Sequence, residues 1–229
     1  MTLRVAVSFS GGKDSTYATW ISMHQSWDVS LVTVKPCSAD SLMFHHPNVE
    51  WTRLQAQSMG LFHESVEMTS TDEMTDLQQA LAKMKSTREI FGLVTGAVAS
   101  DYQKTRFDNM CDAVGLKSYA PLWHKSLKLL VEDFKKSGFR IILTAVAAKG
   151  LDESWLGREL TETEWSKLEG LSKIHGIHLT GEGGEYESFV LDAPHFSKRI
   201  EIEKSTKEWQ GDRGRLVIEE ASLRDKLCN

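Results

Sequence analysis

Strand and helix patterns alternate through the first half of this chain, and this alternation constrains the fold more than any other feature. Four short segments rich in β-branched and aromatic side chains have the pattern of strands: residues 4–10, 29–34, 62–68 and 90–96. Each is followed by apolar residues at helical spacing, and Gly60 and Gly115 stand where two of these helices should end. The order predicts an α/β fold, a parallel sheet flanked by helices.

The second half of the chain has a looser pattern. It predicts a helix around residues 127–134, a strand at 139–148, a helix ending at Gly176 and two paired late strands at 199–203 and 215–219. Four polar residues have the pattern of helix N-caps: Asn48, Ser70 with Glu73, Ser100 and Thr161. With a boundary near residues 118–124, we expect a domain of residues 1–120 and a smaller C-terminal α+β lobe of residues 121–229.

Composition excludes several classes of protein. The 229 residues carry 27 basic and 32 acidic side chains, and 27 − 32 gives a net charge of −5, which disfavours a general nucleic-acid binder. The three cysteines, Cys37, Cys111 and Cys228, are scattered, so neither a disulfide framework nor a cysteine zinc site is expected. The N-terminal apolar run is too short for a signal peptide or a membrane span, and we expect a cytoplasmic protein.

A polar glycine loop joins the first predicted strand to the first helix: Ser10-Gly11-Gly12-Lys13-Asp14-Ser15. Glycines let backbone N–H groups approach an anion, and the N-terminus of the helix adds partial positive charge. Lys13 is suited to phosphate, whereas Asp14 is suited to a magnesium ion that bridges phosphates. The spacing matches neither the Gly-x-x-x-x-Gly-Lys-Ser/Thr phosphate loop nor the Gly-x-Gly-x-x-Gly dinucleotide fingerprint.

This hexapeptide resembles the PP-loop of the N-type ATP pyrophosphatases. The resemblance implies a Rossmann-like (adenine nucleotide alpha hydrolase-like) fold that cleaves ATP between its α and β phosphates, adenylates a substrate oxygen and lets a nucleophile displace AMP. Sulfur-inserting members often carry paired cysteines. The absence of such a pair here favours ammonia as the nucleophile.

Three further stretches resemble one family, the diphthine–ammonia ligases (diphthamide synthetases). They are Pro47-Asn48-Val49-Glu50-Trp51 with Leu54-Gln55, residues 95–106 (TGAVASDYQKTR) and residues 181–188 (GEGGEYES), the last continuing into 190–194. The resemblance implies that ATP and ammonium convert diphthine, a modified histidine on translation elongation factor 2, to diphthamide. Diphthine carries a carboxylate and a trimethylammonium group. The layout is similar to the compact archaeal members, and the oligomeric state stays open, a homo-oligomer included.

The motifs assign candidate residues to three roles. For ATP and its Mg²⁺ we expect Ser10, Gly11, Gly12, Lys13, Asp14, Ser15, Val34, Gly96 and Ala97, with Asp14 as the metal ligand. Gly96 and Ala97 follow the fourth strand, where open α/β sheets bind ligands. For the substrate we expect Tyr102, Lys104, Arg106, Trp123 and Tyr186. For catalysis we expect Lys13 and Asp14 together with Glu182, Glu185 and Glu187.

The three glutamates can attract a cation, hold magnesium or accept a proton from ammonia, and the sequence does not divide these roles among them. The roles of His45 and His46 stay open as well. Two rival functions remain: another PP-loop ligase, such as a tRNA-modifying enzyme, and a non-catalytic ATP-binding sensor.

Overall fold

A five-stranded parallel sheet forms the first half of the molecule. The computed structural model describes residues 2–35, 48–69 and 74–226. The strands of this sheet are β1 (Arg4–Ser8), β2 (Asp28–Lys35), β3 (Phe62–Glu67), β4 (Gly92–Val94) and β5 (Lys117–Tyr119). Their order is β3-β2-β1-β4-β5, and every neighbouring pair is parallel. The predicted Rossmann-like sheet is therefore confirmed, with the strand order reversing between β1 and β4.

Helices cover both faces of this sheet. They are α1 (Lys13–His24), α2 (Thr52–Met59), which follows a 3-10 turn at Val49–Trp51, α3 (Thr75–Thr87) and α4 (Asp101–Val114). Gly60 and Gly115 end α2 and α4 at φ +67° and +70°, as predicted. Successive β1 residues face opposite layers: Val5 and Val7 join the core that contains α1, whereas Ala6 joins the core under α3 and α4.

An antiparallel sheet forms the second half. Its elements are α5 (Leu127–Lys136), β6 (Arg140–Val146), α6 (Glu162–His175), β7 (Tyr186–Asp192), β8 (Arg199–Gln210) and β9 (Arg213–Arg224), with a 3-10 turn at Glu153–Trp155. The strand order is β7-β6-β9-β8. This arrangement is the predicted smaller α+β part.

The two sheets share one hydrophobic core. The ring of Tyr17 on α1 lies 5.3 Å from Phe134 on α5 and 5.8 Å from Phe139 before β6, both edge-on. Trp165 is 1% exposed and stacks on Phe134, whereas Trp20 and Trp51 are partly buried against the same core. Burial of these aromatic faces holds α1, and hence the loop before it, against the second sheet.

One strand was not predicted, and three sequence predictions need correction. The segment around residue 118 contains the unpredicted strand, β5, which is short, polar and at the sheet edge. β8 and β9 are 12 residues each, longer than predicted, and the residues that β8 gains, 204–210, are all exposed and show no apolar alternation. Asn48 does not cap a helix; its side chain donates to Leu216 O and accepts from Ile218 N of β9. The hydroxyl of Thr161 does not cap backbone either, but contacts the carboxylate of Glu164.

No helix among the described residues is long and apolar enough to cross a membrane. His45 and His46, Ser70 with Glu73, and the cysteines Cys37 and Cys228 lie outside the described residues.

Candidate active site

A cavity of about 1160 Å³ opens between the carboxyl ends of the parallel strands and the second sheet. Twelve of the sequence-predicted residues line it: Ser10, Gly12, Lys13, Asp14, Ser15, Val34, Gly96, Ala97, Tyr102, Glu182, Tyr186 and Glu187. A cavity at this edge of an open α/β sheet is the expected position for a ligand.

The glycine loop is packed so closely that position 11 has no room for a side chain. Gly11 has φ +79°, and a Cβ there would lie 2.5 Å from Oε1 of Gln55. Gln55 is fully buried, and its Nε2 donates to Gly11 O at 2.9 Å and to Val190 O at 2.8 Å. Val190 N also donates to Gly11 O at 3.0 Å. The loop is thus fastened to β7 of the second sheet.

Two serines and a second close backbone contact complete the glycine loop. The hydroxyls of Ser10 and Ser15 lie 3.1 Å apart, and Ser10 N donates to Ser15 Oγ. A Cβ on Gly96 would lie 2.7 Å from Ser15 N and 2.8 Å from the carbonyl carbon of Asp14. The backbone of α1 therefore requires glycine at position 96. The sequence analysis expected this glycine only because the nucleotide would approach it.

Lys13 connects the two halves of the site. Its side chain is 3% exposed, and Nζ donates to Thr180 O at 2.5 Å and to Asp14 Oδ2 at 2.7 Å. Its backbone N donates to Ser188 Oγ at 3.2 Å. Burial disfavours the ammonium, but the carboxylates of Asp14 and Glu182 outweigh burial, so the pKa of Lys13 lies above its usual value. Lys13 is thus a fixed positive charge at the base of the cavity.

Asp14 is placed to hold a cation. Burial raises the pKa of its carboxyl above the ordinary value, against the lowering effect of Lys13. Its Oδ1 is buried without a hydrogen-bond partner among the described residues. No group of three or more metal-binding side chains occurs in the described part of the chain. One carboxylate oxygen fits Mg²⁺, which keeps waters and substrate phosphates as most of its ligands.

A loop with two glycines of positive φ, Gly181 (φ +76°) and Gly184 (φ +79°), carries Glu182 into the cavity. Ala99 N donates to Glu182 Oε2 at 3.3 Å. Burial, reinforced by the charge of Asp14, raises the pKa of Glu182 to about 7. A carboxylate with a pKa near neutrality is suited to proton transfer at physiological pH.

The other two glutamates have different surroundings. Glu185 is not among the residues that line the cavity in the described chain; its carboxylate accepts from His178 N at 2.8 Å and from Gly183 N at 2.9 Å. It therefore holds the loop. Glu187 lines the cavity, and its charge contributes to the raised pKa of Asp14.

Tyr186 faces Lys13, whose Nζ lies 5.3 Å from the ring centre. The phenol donates to Leu179 O at 2.7 Å, and burial raises its pKa above the ordinary value. The ring is fully buried, so it is a fixed wall of the cavity rather than a mobile side chain.

The residues predicted on α4 divide between the cavity and the surface. Ser100 caps α4 as predicted, accepting from Gln103 N, and Tyr102 lines the cavity with half its surface exposed. Lys104 pairs with Asp108, and its Nζ lies 5.8 Å from the ring of Trp123. Among the described residues, Lys104, Arg106 and Trp123 are not in the cavity lining. Arg106 lies beside Tyr102, donating to its hydroxyl at 3.3 Å.

Sequence reasoning missed several residues of the site. Gln55 and Ser188 occur in the quoted motifs, yet only the fold shows what they contact. Thr180 and the hairpin residues Glu208, Trp209, Gln210, Arg213, Gly214 and Arg215 also line the cavity. The sequence predicted two paired strands here, but no signal placed their polar turn end at the cavity.

Comparison with known proteins identifies the family. The model described as "Diphthamide synthase N-terminal domain" matches residues 3–118, and "Diphthamide synthase C-terminal domain" matches residues 125–223. The chain belongs to the diphthine–ammonia ligase family. It is accordingly a ligase that forms a C–N bond, and the resemblance read from the sequence is confirmed.

Two relatives by sequence agree with this placement. The diphthine–ammonia ligase of Bos taurus is 35% identical over 227 residues, covering 89% of this chain and 84% of the relative. That of Schizosaccharomyces pombe is 34% identical over 217 residues, covering 86% of this chain and 36% of a longer protein. Among solved structures, a predicted subunit of tRNA methyltransferase from Methanocaldococcus jannaschii has a TM-score of 0.43 at 15% identity, covering 84% of this chain and 98% of that one.

Proposed function

We propose that this chain amidates diphthine on translation elongation factor 2 to diphthamide, using ATP and ammonium and releasing AMP and pyrophosphate. One observation carries the proposal beyond family membership. The phosphate-binding loop and the glutamate loop meet through Lys13, whose ammonium contacts both Asp14 and the carbonyl of Thr180. ATP and a charged substrate would therefore share one cavity.

The first step is adenylation of the substrate. An oxygen of the diphthine carboxylate attacks the α-phosphorus of ATP, and the bond from that phosphorus to the bridging oxygen breaks, so pyrophosphate leaves with the electron pair. Backbone N–H groups of the glycine loop, the Ser10 and Ser15 hydroxyls and Lys13 stabilise the phosphate charge. Val34, Gly96 and Ala97 border the nucleotide. Mg²⁺ held by Asp14 would neutralise phosphate charge when bound.

The second step forms the amide. The nitrogen of ammonia attacks the carbonyl carbon of the acyl adenylate, the bond to the phosphate oxygen breaks, and AMP leaves. The new nitrogen must lose a proton. We assign that proton to Glu182, because its pKa of about 7 lets the ionised form accept it near neutral pH.

The substrate occupies the remaining part of the cavity. The trimethylammonium group of diphthine has no N–H, so it needs a negative or aromatic surface rather than a hydrogen-bond acceptor. Glu187 offers such a negative surface, whereas the Tyr186 ring, buried beneath Lys13, forms part of the cavity wall. Tyr102 also lines the cavity. We place Lys104, Arg106 and Trp123 outside the reaction, and Glu185 as a residue that positions the loop of Glu182. In this division residues 1–120 bind ATP and residues 121–229 recognise the substrate.

The proposal is tested by mixing the protein with ATP, Mg²⁺, ammonium and diphthine-bearing elongation factor 2. AMP and pyrophosphate should form in equal amounts with the amidated factor, and only with all components present. Lys13→Met should lose this activity while keeping the fold, as checked by circular dichroism. Formation of ADP would refute the mechanism. Activity on a tRNA instead of the factor would favour the rival PP-loop ligase, and ATP binding without turnover would favour the sensor.

A further inference from the structure

The outer half of the β8–β9 hairpin stands apart from the hydrophobic core. From residue 203 to residue 213 every side chain is exposed, although the two strands stay paired up to Gln210 and Arg213. A two-residue turn joins the strands, with Gly211 at φ +65°. Residues 203–213 do not belong to the hydrophobic core, although Leu216 and Ile218 on the facing strand do, and residues from the end of the hairpin line the active-site cavity. The end of the hairpin is therefore placed to contact whatever enters the cavity.

Trp209 is the one large apolar side chain on this outer half, and it is held in a defined orientation. Its indole N–H donates to Gly211 O at 3.1 Å. A Cβ on Gly214, the residue paired with it on β9, would lie 2.4 Å from Cε3 of the indole, so the ring covers Gly214. The ring is still 37% exposed. With its only polar atom satisfied and one side covered, Trp209 presents a fixed apolar face at the cavity rim.

The sheet register gives the distance of this face from the reaction centre. Trp209 pairs with Gly214, Gly214 with Val146, and Val146 with Tyr186, in one row across four strands. Three strand spacings separate the backbones of Trp209 and Tyr186, which is roughly 14 Å. The Tyr186 ring lies beside Lys13, so this row runs from the phosphate loop to the rim.

A histidine side chain with a short substituent reaches on the order of 10 Å from its Cα. When the carboxylate of the modified histidine lies at the phosphate loop, the modified side chain is too short to reach Trp209. The part of the substrate beside Trp209 is therefore polypeptide. The charged side chains beside Trp209 are paired and so would not repel a docked protein. Arg215 pairs with Glu208 at 2.6 Å, and Arg213 lies 3.6 Å from Asp212. Tryptophan flanked by arginine is the composition of energetically dominant interface residues.

From this geometry we infer that the outer β8–β9 hairpin is a docking surface for the protein substrate, and that Trp209 anchors the polypeptide next to the modified histidine. The inference rests on the proposed function for the identity of the partner, elongation factor 2. It makes the rim a determinant of protein recognition that is separate from the residues that bind ATP.

The test measures equilibrium binding of full-length diphthine-bearing elongation factor 2 by calorimetry, without turnover, and steady-state kinetics in parallel. Trp209→Ala should weaken binding and raise KM for the factor about 30-fold, with KM for ATP and kcat unchanged. Gly214→Ala should reproduce the effect because it displaces the ring. Trp209→Phe, which keeps an aromatic face, should stay within about threefold of the wild type.

Phe91→Ala is the matched control, since Phe91 is another exposed aromatic side chain (50% exposed) away from the cavity. It should leave binding of the factor unchanged. Unchanged binding by Trp209→Ala would overturn the docking inference, and so would a rise in KM for ATP alone, which would assign the ring to the nucleotide. Failure of the wild type to amidate the factor would refute the proposed function instead, because the binding measurement does not depend on turnover.

Discussion

Glu182→Gln separates catalysis from stability at one position, because the two depend on the charge of Glu182 in opposite ways. The folded protein raises the pKa of Glu182 to about 7 from an ordinary value of 4.5. As a base the residue must be ionised, so its ionised fraction is about a tenth at pH 6 and about nine-tenths at pH 8. The rate of amide formation should rise through this range in the wild type. Glu182→Gln should lose 10²- to 10⁴-fold in kcat, roughly the contribution of a general base. The rise in rate between pH 6 and pH 8 should also disappear in this variant.

The stability of the same variant should change in the other direction. A raised folded pKa means that the folded state binds the proton more tightly than the unfolded chain does. The stabilisation is complete below pH 4.5 and is lost as the pH rises through 7. A difference of 2.5 pKa units corresponds to at most about 3 kcal/mol. Glu182→Gln, which has no charge to bury, should therefore be more stable than the wild type at pH 8 and close to it at pH 5.

The assay follows AMP release at a fixed concentration of free ammonia, since ammonium itself deprotonates as the pH rises. Urea denaturation at pH 5 and pH 8 supplies the free energies of unfolding. Glu169→Gln is a suitable control, because Glu169 is a partly exposed carboxylate paired with Lys135 and is not among the residues that line the cavity in the described chain. A Glu182→Gln variant that keeps the wild-type pH profile would refute the assignment of Glu182 as base, and a variant less stable at pH 8 would refute the account of its burial.

Three further predictions concern the surroundings of the site. Gly96→Ala should raise KM for ATP and lower stability by about 1–3 kcal/mol, since its methyl would meet the backbone of Ser15; ATP kinetics and thermal unfolding measure both effects. His195→Phe should make the free energy of unfolding less dependent on pH between pH 7.5 and pH 5, as urea titrations at these two pH values would show. Burial lowers the pKa of His195 to about 3, so the wild type loses stability as the pH falls below 6.5, by about 2 kcal/mol at pH 5. Glu185→Ala should speed amide hydrogen exchange at His178 and Gly183 and lower kcat, and unchanged exchange would contradict its role in holding the loop.

Sequence patterns predicted the parts of the fold that depend on local periodicity. Strands β1, β2 and β4 are largely buried, so their apolar runs were visible, whereas β5 has three residues and only a partly buried edge position. The glycine loop could be predicted because its glycines, serines and lysine are residue types suited to binding phosphate. The roles of Gln55 and Trp209 could not, since one depends on contacts with a strand 135 residues away and the other on the register of four strands.

The contacts of Gly11 have a consequence for dissecting this protein. Its carbonyl is held by Val190 N and by Gln55, and the backbone of Lys13 is held by Ser188, so the glycine loop takes its shape from residues in both halves of the chain. A fragment that stops at residue 120 would retain every residue of the PP-loop motif and Gln55 but lose Ser188 and Val190. Such a fragment should not bind ATP, and adding the complementary fragment back in trans should restore binding.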